Sequence, residues 1–523
     1  MSNAEVHTKT RDHTLTDDVL QSPVDRHLAR SRRRLVLGVV FLVLFVIVIW
    51  LLVRFNIDRP VKYADPGEHF KYGSIGSEPG GSVMDAVGGL LPPRDIFALL
   101  PRVCPDKLPG GYTSLGLIAE PEHRFPIGIS ERFRLGIDQV GLNCSVCHAA
   151  TLRDSPDAER RIILGAPAHQ LDLQGLFRFV LDCTLDERFT ADNLIGLMER
   201  NGTDLGWFDR ILYRYFVIPR TREQTLVLSQ RLALIMGKDI PDWGPGRVDT
   251  FNPYKGVQFN WPLDRLPLTE LIAASDFPSL WNQQPRDGMY LHWDGNNDSV
   301  EERNLSASLG AGVTPVTIDH ALLKRVRDWI WTLPPPAYPY PIDQAEAQRG
   351  HELYNGYCLD CHADGRFKDG IVEGKFVGTV EPIEKIGTDR YRLDSYTFDF
   401  AANQYTLYPD SRYRFTHFRK TQGYANQPLD GIWLRAPYLH NGSVPTLRAL
   451  LDRPEDRPAR FYRGYDVYDP EHVGFVSDVA GENATRYFLY DTSLPGNGNA
   501  GHRYGLDLAP EDKDAIVEYM KTF

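Results

Sequence analysis

Two stretches of the chain, GLNCSVCHAA (141–150) and GYCLDCHADG (356–365), each set two cysteines in Cys-x-x-Cys spacing with a histidine directly behind the second. No other feature constrains the fold as much. A short turn presents both thiols on one side, where they can add to the two vinyl groups of a porphyrin. The histidine that follows sits under the iron. That is why Cys-x-x-Cys-His marks c-type haem attachment. A structural zinc site needs four ligands, usually from paired Cys-x-x-Cys units at suitable spacing. Here the units lie in different halves of the chain, with a proline-rich segment between them. A thioredoxin-like redox pair would sit beside a βαβ pattern, and none is apparent. The sequence therefore predicts two covalently bound haem c groups. Cys144, Cys147 and His148 hold one; Cys358, Cys361 and His362 hold the other.

Residues 35–53, LVLGVVFLVLFVIVIWLLV, form an unbroken apolar run without a charge. Such a run is long enough to cross a bilayer as a helix. No small-residue cleavage site follows, since Arg54-Phe55-Asn56 come next, so the expectation is an uncleaved anchor. Arg26, Arg30, Arg32, Arg33 and Arg34 precede it. The positive-inside bias then keeps the N-terminus in the cytoplasm and sends the rest outward. In a bacterium this is a single-pass inner-membrane protein with its haem domains in the periplasm. The last two of the six cysteines, Cys104 and Cys183, are expected to pair there, because that compartment lets disulfides persist. The net charge of −11 argues against a nucleic-acid partner.

The organisation read from pattern is as follows. Residues 1–33 are a polar cytoplasmic tail, 34–54 the anchor, and 55–95 a Gly-, Pro- and Ser-rich tether. Residues 96–333 are an N-terminal haem domain ending in an amphipathic helix over 317–333, with Leu322, Val326, Trp329 and Ile330 on one face. PPPAYPYP (334–341) cannot continue a helix and serves as linker. Residues 342–523 are a C-terminal cytochrome c domain. It opens on a helix from about 343 that runs into the second haem motif. It closes on an amphipathic helix, LAPEDKDAIVEYMKTF (508–523). No strand alternation of sheet-forming length stands out. The fold class is mainly α: two c-type cytochrome domains with long loops behind one N-terminal transmembrane helix.

The sixth iron ligands decide function, because a six-coordinate haem relays electrons whereas an open one binds oxygen or peroxide. Beyond residue 341 the only methionine is Met520, in the middle of the last helix. The C-terminal haem is therefore expected to be bis-histidine. Its candidates are His351, His417, His440, His472 and His502. His502 lies in the glycine-rich loop GNGNAGHRYG (496–505), directly before the last helix. Small c-type cytochromes take their distal ligand from that place. His440, in APYLHNGS, is the alternative. On the N-terminal haem the distal side is expected to be open or weakly held. His169 either ligates there or packs near the haem edge.

Two further stretches carry a resemblance. YLHWDGNNDSVEERNL (290–305) resembles the Trp-Asp-Gly segment of bacterial di-haem cytochrome c peroxidases. GIWLRAPYLHNGSVPTLRALL (431–451) is similar to a segment those peroxidases share with the di-haem enzyme that matures methylamine dehydrogenase. The closest look is to the rubber-oxygenase-like (RoxA-like) branch, through HWDGNN, APYLHNGSVPTL and NAGHxYG. The resemblance implies a reactive N-terminal haem on His148 and an electron-handling haem on His362 and His502. It also implies that Trp293 is the aromatic between them. Two departures matter. The peroxidases place a catalytic Glu shortly after Trp-Asp-Gly, and the stretch SLGAGVTPVTID (308–319) has no acid before Asp319. They also use a His/Met C-terminal haem, for which no Met is in place.

Three functions fit these residues. One is an oxidoreductase activating O₂ or peroxide at the N-terminal haem. The second is a di-haem peroxidase fed by a small cytochrome or a quinol-linked complex. The third is an electron carrier tied to the inner membrane. The substrate, and whether calcium bridges the domains, are left open by the sequence.

Overall fold

The longest helix in the computed structural model, Pro23–Asn56, is built on the apolar run. The structure describes residues 23–79, 90–363, 367, 374–408, 411–483 and 485–523. Within that helix, His27–Asn56 is long and apolar enough to be a membrane span or a signal sequence. It belongs to a unit ending at Ile57, and residues 58–523 form the other unit. Most of the expected tail lies outside the described residues.

Of the described residues, 41% are helical and 12% are in strands. The strands are short, yet one hairpin leads into the first Cys-x-x-Cys-His unit. Strand β1 (Asp58–Pro60) pairs with β2 (Ile129–Arg134), which pairs with β3 (Ile137–Leu142). The two-residue turn, Leu135-Gly136, has positive φ at both positions, 52° and 78°. This is the turn that matches strand twist, but it normally recruits Asn-Gly or Asp-Gly. A leucine at its first position hides the hairpin from pattern reading. Strand β4 (Ala149–Leu152) begins directly after His148 and pairs with β5 (Arg161–Leu164).

The segment expected as a tether does more than connect. Besides β1 it holds the helix Pro66–Tyr72, capped by Asp65, whose carboxylate accepts the Glu68 amide at 2.8 Å. Phe70, Tyr72 and Ile75 are buried in the cores of the body. Pattern reading weighted the Gly and Ser of 73–82 and passed over these aromatics; residues 80–82 lie outside the described residues.

One core gathers the helices Arg94–Val103, Leu173–Thr184 and Ala191–Arg200 against the hairpin. Inside it Cys104 and Cys183 form a disulfide. The helix His320–Ile330 buries Leu322, Val326 and Ile330 as expected, and Trp329 packs on Phe70 at 5.0 Å.

The proline-rich segment does not separate two packed bodies. Trp433 Nε1 donates to Pro336 O at 3.1 Å, Tyr338 packs on Trp433, and Tyr340 stacks on Tyr468. One core holds Ala150, Leu152 and Trp281 from before the segment with Tyr354, Trp433 and Tyr519 from after it. Beyond it, the helices Gln344–Tyr357 and Pro510–Met520 cross closely. The crossing needs glycine at 350, where a Cβ would lie 1.8 Å from Ala515 O.

The disulfide closes a span of 79 positions. Cross-linking so long a loop restricts the unfolded chain by about 4 kcal/mol. Replacing both Cys104 and Cys183 by Ser should lower unfolding free energy by about that amount in a urea titration. A loss under about 1 kcal/mol would show that the cross-link constrains little.

Candidate functional site

The first Cys-x-x-Cys-His unit is a single tight turn at the end of β3. Asn143 caps it: its Oδ1 accepts the Ser145 amide at 3.1 Å and the Ser145 hydroxyl at 2.8 Å. Its Nδ2 donates to Lys71 O at 3.2 Å and Gly73 O at 3.3 Å. The helix Pro66–Tyr72 thus positions the motif. Gly128, at φ +95°, lets the start of the hairpin approach the turn, since a Cβ there would meet Val146 Cα at 2.4 Å. Cys144 and Cys147 are unpaired thiols. Burial pushes Cys144 up to about 11 and Cys147 higher still.

His148 Nδ1 lies 2.9 Å from Pro278 O. A carbonyl can only accept, so Nδ1 carries the proton and Nε2 the lone pair. Burial holds this imidazole neutral, lowering it to about 4. That is how a metal-binding histidine is usually oriented. Among the described residues the ring beside His148 is Phe277, at 6.5 Å, not a second histidine.

The second unit begins at the C-cap of the helix Gln344–Tyr357 and makes one further turn, Leu359–His362. Cys358 and Cys361 are unpaired, and burial pushes Cys358 up to about 12. His362 repeats the arrangement of His148: Nδ1 lies 2.9 Å from Gln427 O, which leaves Nε2 free. His502 is brought to it, with ring centres 6.2 Å apart and ring planes 38° from parallel. Its loop is clamped from behind. Arg457 donates to Asn499 O at 2.6 Å, Gly501 O at 3.0 Å and His502 O at 3.2 Å. His502 has φ +48° and a buried Nδ1 with no hydrogen-bond partner among the described residues. Burial, then the neighbouring His362 and Arg457, lower it to about 3.

The other candidates are placed elsewhere. His440 stacks on Tyr424 at 4.2 Å, and its Nε2 is engaged by the Tyr424 hydroxyl at 3.1 Å. His169 packs on Phe475 at 3.5 Å and bonds Thr151 O at 2.9 Å, so its ring serves packing. Met520 is buried in the core. Trp293 packs partly buried against Ile383, Leu393 and Tyr424. Its Nε1 donates to Asp276 O at 2.8 Å, and its carbonyl accepts the Ala425 amide at 2.8 Å. Asp276 is two residues from Pro278, the acceptor of His148. Ala425 is two residues from Gln427, the acceptor of His362. Trp293 therefore joins the two histidines through a short run of backbone and hydrogen bonds.

Sequence reasoning missed the carbonyls of Pro278 and Gln427, which no side-chain pattern encodes. Nor does the sequence pattern assign a role to His292, which lies in the Trp-Asp-Gly stretch. That residue has φ +62° and bonds Asn296 Oδ1 through Nδ1 at 2.5 Å. Burial lowers it to about 4. Arg303, on the helix Val300–Gly310, depresses both His148 and His292.

Residues 423–462 match the family described as RoxA-like, cytochrome c-like. This segment carries Tyr424, Gln427, His440 and Arg457. Two curated proteins of Sinorhizobium fredii are similar to the chain. The uncharacterized protein y4iJ is 43% identical over 79% of this chain and 82% of its own length. This chain belongs to the y4iJ family. The uncharacterized protein y4iM is 33% identical over 48% of this chain, and the match spans 65% of that relative.

A cytochrome c-like domain implies covalently bound haem c. The residues present fit it. Two imidazoles on opposite sides of one metal, each nitrogen about 2.0–2.1 Å away, put their ring centres roughly 6 Å apart. His362 and His502 have that separation, and both offer a ring nitrogen not otherwise engaged. The four thiols of the two motifs remain unpaired while the remaining two cysteines are joined.

His169 provides a pH test. Its folded value, lowered by burial to about 4, lies below its unfolded value of about 6.5. The unfolded chain then binds the extra proton, so stability falls as pH drops from about 6.5 to about 4, by up to about 3 kcal/mol from this group. In urea titrations at neutral pH and near pH 4.5, His169→Gln should lose less stability on acidification than the parent. An equal loss would show that His169 takes up no proton on unfolding.

Proposed function

We propose that the chain is a membrane-anchored di-haem c-type cytochrome on the periplasmic face of a bacterial inner membrane. In this reading it is an oxidoreductase. The site at Cys144, Cys147 and His148 takes O₂ or peroxide, and the site at Cys358, Cys361, His362 and His502 handles electrons. The observation that carries the proposal is the contrast between the two histidines. His362 has a second imidazole at 6.2 Å; among the described residues no histidine ring lies as close to His148.

When bound, a haem with one open side supplies ligand binding and one-electron chemistry, and a six-coordinate one supplies electron transfer alone. The chain's own residues set the rest. Pro278 O and Gln427 O hold His148 and His362 in the Nδ1–H tautomer, with the lone pair on Nε2. Burial keeps both rings neutral. Trp293 supports passage of electrons by joining the segments that carry those carbonyls. A small cytochrome or a quinol-linked complex would exchange electrons with the second site.

Two features argue against efficient peroxide cleavage. Asp319, the first acid after the helix Val300–Gly310, caps the next helix and pairs with Arg132 at 3.5 Å. Glu302 is spent on the amides of Thr416 and His417, at 2.7 and 2.9 Å. A positioned acid–base group contributes typically 10²–10⁴-fold.

Two measurements test the reading. The purified chain should carry two irons, and both haems should survive acid–organic extraction, which strips non-covalent haem. One iron per chain, or haem lost on extraction, would refute the di-haem assignment. His502→Ala should convert one low-spin signal to high-spin and leave the other haem unchanged. An unchanged spectrum would remove His502 as ligand.

Turnover with hydrogen peroxide and a reduced small cytochrome should be slow. Rates in the ordinary enzyme range, about 1–10³ s⁻¹, would restore the peroxidase reading.

A further inference from the structure

The helices after residue 206 carry a surface that the haem sites do not use. Trp207–Leu212 is α-helical, Tyr213–Val217 is one π turn, and Ile218–Met236 is α-helical again. One side is anchored: Tyr213, Val217 and Ile218 enter the core shared with the disulfide, and Leu232 and Ile235 enter another. The opposite side exposes Trp207 at 77%, Ile211 at 49% and Tyr215 at 74%, with Leu226 at 48% further along. In an α-helix residues four apart drift round the axis. The wider π turn offsets part of that drift after Leu212, and Trp207, Ile211 and Tyr215 are all exposed. Burying these three side chains would cost no core contact, yet the fold leaves them in solvent.

The charge around the stripe is as distinctive. Residues 207–236 hold five arginines against Asp209 and Glu223, a net charge of +3 in a chain of net −11. Arg210 and Arg214 flank the stripe and reach Glu199 and Asp192 at 2.5 and 2.7 Å. Exposed pairs of this kind hold the side chains only weakly. Trp and Tyr with an aliphatic between them, bordered by arginines, is the composition of a helix that lies in a membrane interface.

We infer that this stripe rests on a bilayer surface carrying anionic headgroups. The inference leans on the anchoring reading proposed above. Ile57 alone separates the last residue of the apolar helix, Asn56, from the first strand residue, Asp58. A chain anchored that way keeps its soluble part beside a bilayer. A second copy is the poorer occupant. A two-fold contact would set the segment 207–236, net +3, against its own copy, and like charges across an interface oppose association.

The full chain, in nanodiscs of phosphatidylcholine with and without phosphatidylglycerol, tests this by hydroxyl-radical footprinting. Trp207 and Tyr215 should be oxidised at least about fivefold more slowly in the anionic discs, as expected when one arginine engages such a surface. Ile211→Glu should abolish the protection, and Arg210→Gln with Arg214→Gln should remove its dependence on lipid charge. Equal oxidation in the two lipids overturns the inference. So does protection that follows protein concentration instead of lipid charge, which would assign the stripe to a second copy. The anchor is scored separately, by resistance to alkaline extraction from membranes. A chain that resists extraction with Trp207 equally oxidised in both lipids loses the surface and keeps the anchor. A chain that extracts, yet is protected by anionic vesicles, keeps the surface and loses the anchor.

Discussion

Each motif histidine is held by one hydrogen bond from Nδ1 to a carbonyl that arrives from far along the chain. For His148 the acceptor is Pro278 O; for His362 it is Gln427 O. Each bond fixes a tautomer, a ring orientation and the free Nε2 lone pair at once. Neither carbonyl reaches its histidine unless the intervening chain has folded correctly. The hairpin, the helix Pro66–Tyr72 and the Arg457 clamp all serve this end. They put a backbone oxygen, or a facing imidazole, where a side chain needs it.

The same logic explains why the regions before and after the proline-rich segment interpenetrate. Arg153, at the end of β4, donates its amide to Asp466 O at 2.8 Å and receives the Tyr468 amide at 3.0 Å. Its guanidinium reaches Asp466 at 2.6 Å and Glu482 at 2.9 Å, with Arg153 and Asp466 both buried. A buried ion pair adds little net stability but is costly to break from one side. It therefore penalises any shift of one motif relative to the other.

Much of this was legible in the sequence, for reasons that can be named. The two motifs, the apolar run and the helices at Gln344–Tyr357 and Pro510–Met520 are local signals, and the structure has those helices where the pattern puts them. His502 stands out by its loop position, and the loop brings its ring within 6.2 Å of His362. What stayed hidden was non-local or chemically unmarked. Leu135-Gly136 makes a hairpin turn without the usual residues. Phe70 and Tyr72 sit in a glycine-rich stretch that reads as a tether. The carbonyls of Pro278 and Gln427 belong to backbone, which carries no letter of its own. The place of His440 against Tyr424 depends on tertiary packing alone.

The six cysteines face opposite demands. Cys104 and Cys183 are oxidised to a disulfide, and the first Cys-x-x-Cys-His unit lies inside the loop they close. On the di-haem reading proposed above, the four motif thiols would have to stay reduced to bond a porphyrin. Once folded, Cys144 and Cys358 are pushed up to about 11 and 12, so almost none of either is thiolate near neutrality. A thiol without its thiolate is a poor nucleophile. Burial in the fold thus works against thiolate formation at these two sulfurs. On the same di-haem reading, maturation becomes a matter of timing: the thioether bonds would form while the motifs are still open, before burial makes the sulfurs poor nucleophiles.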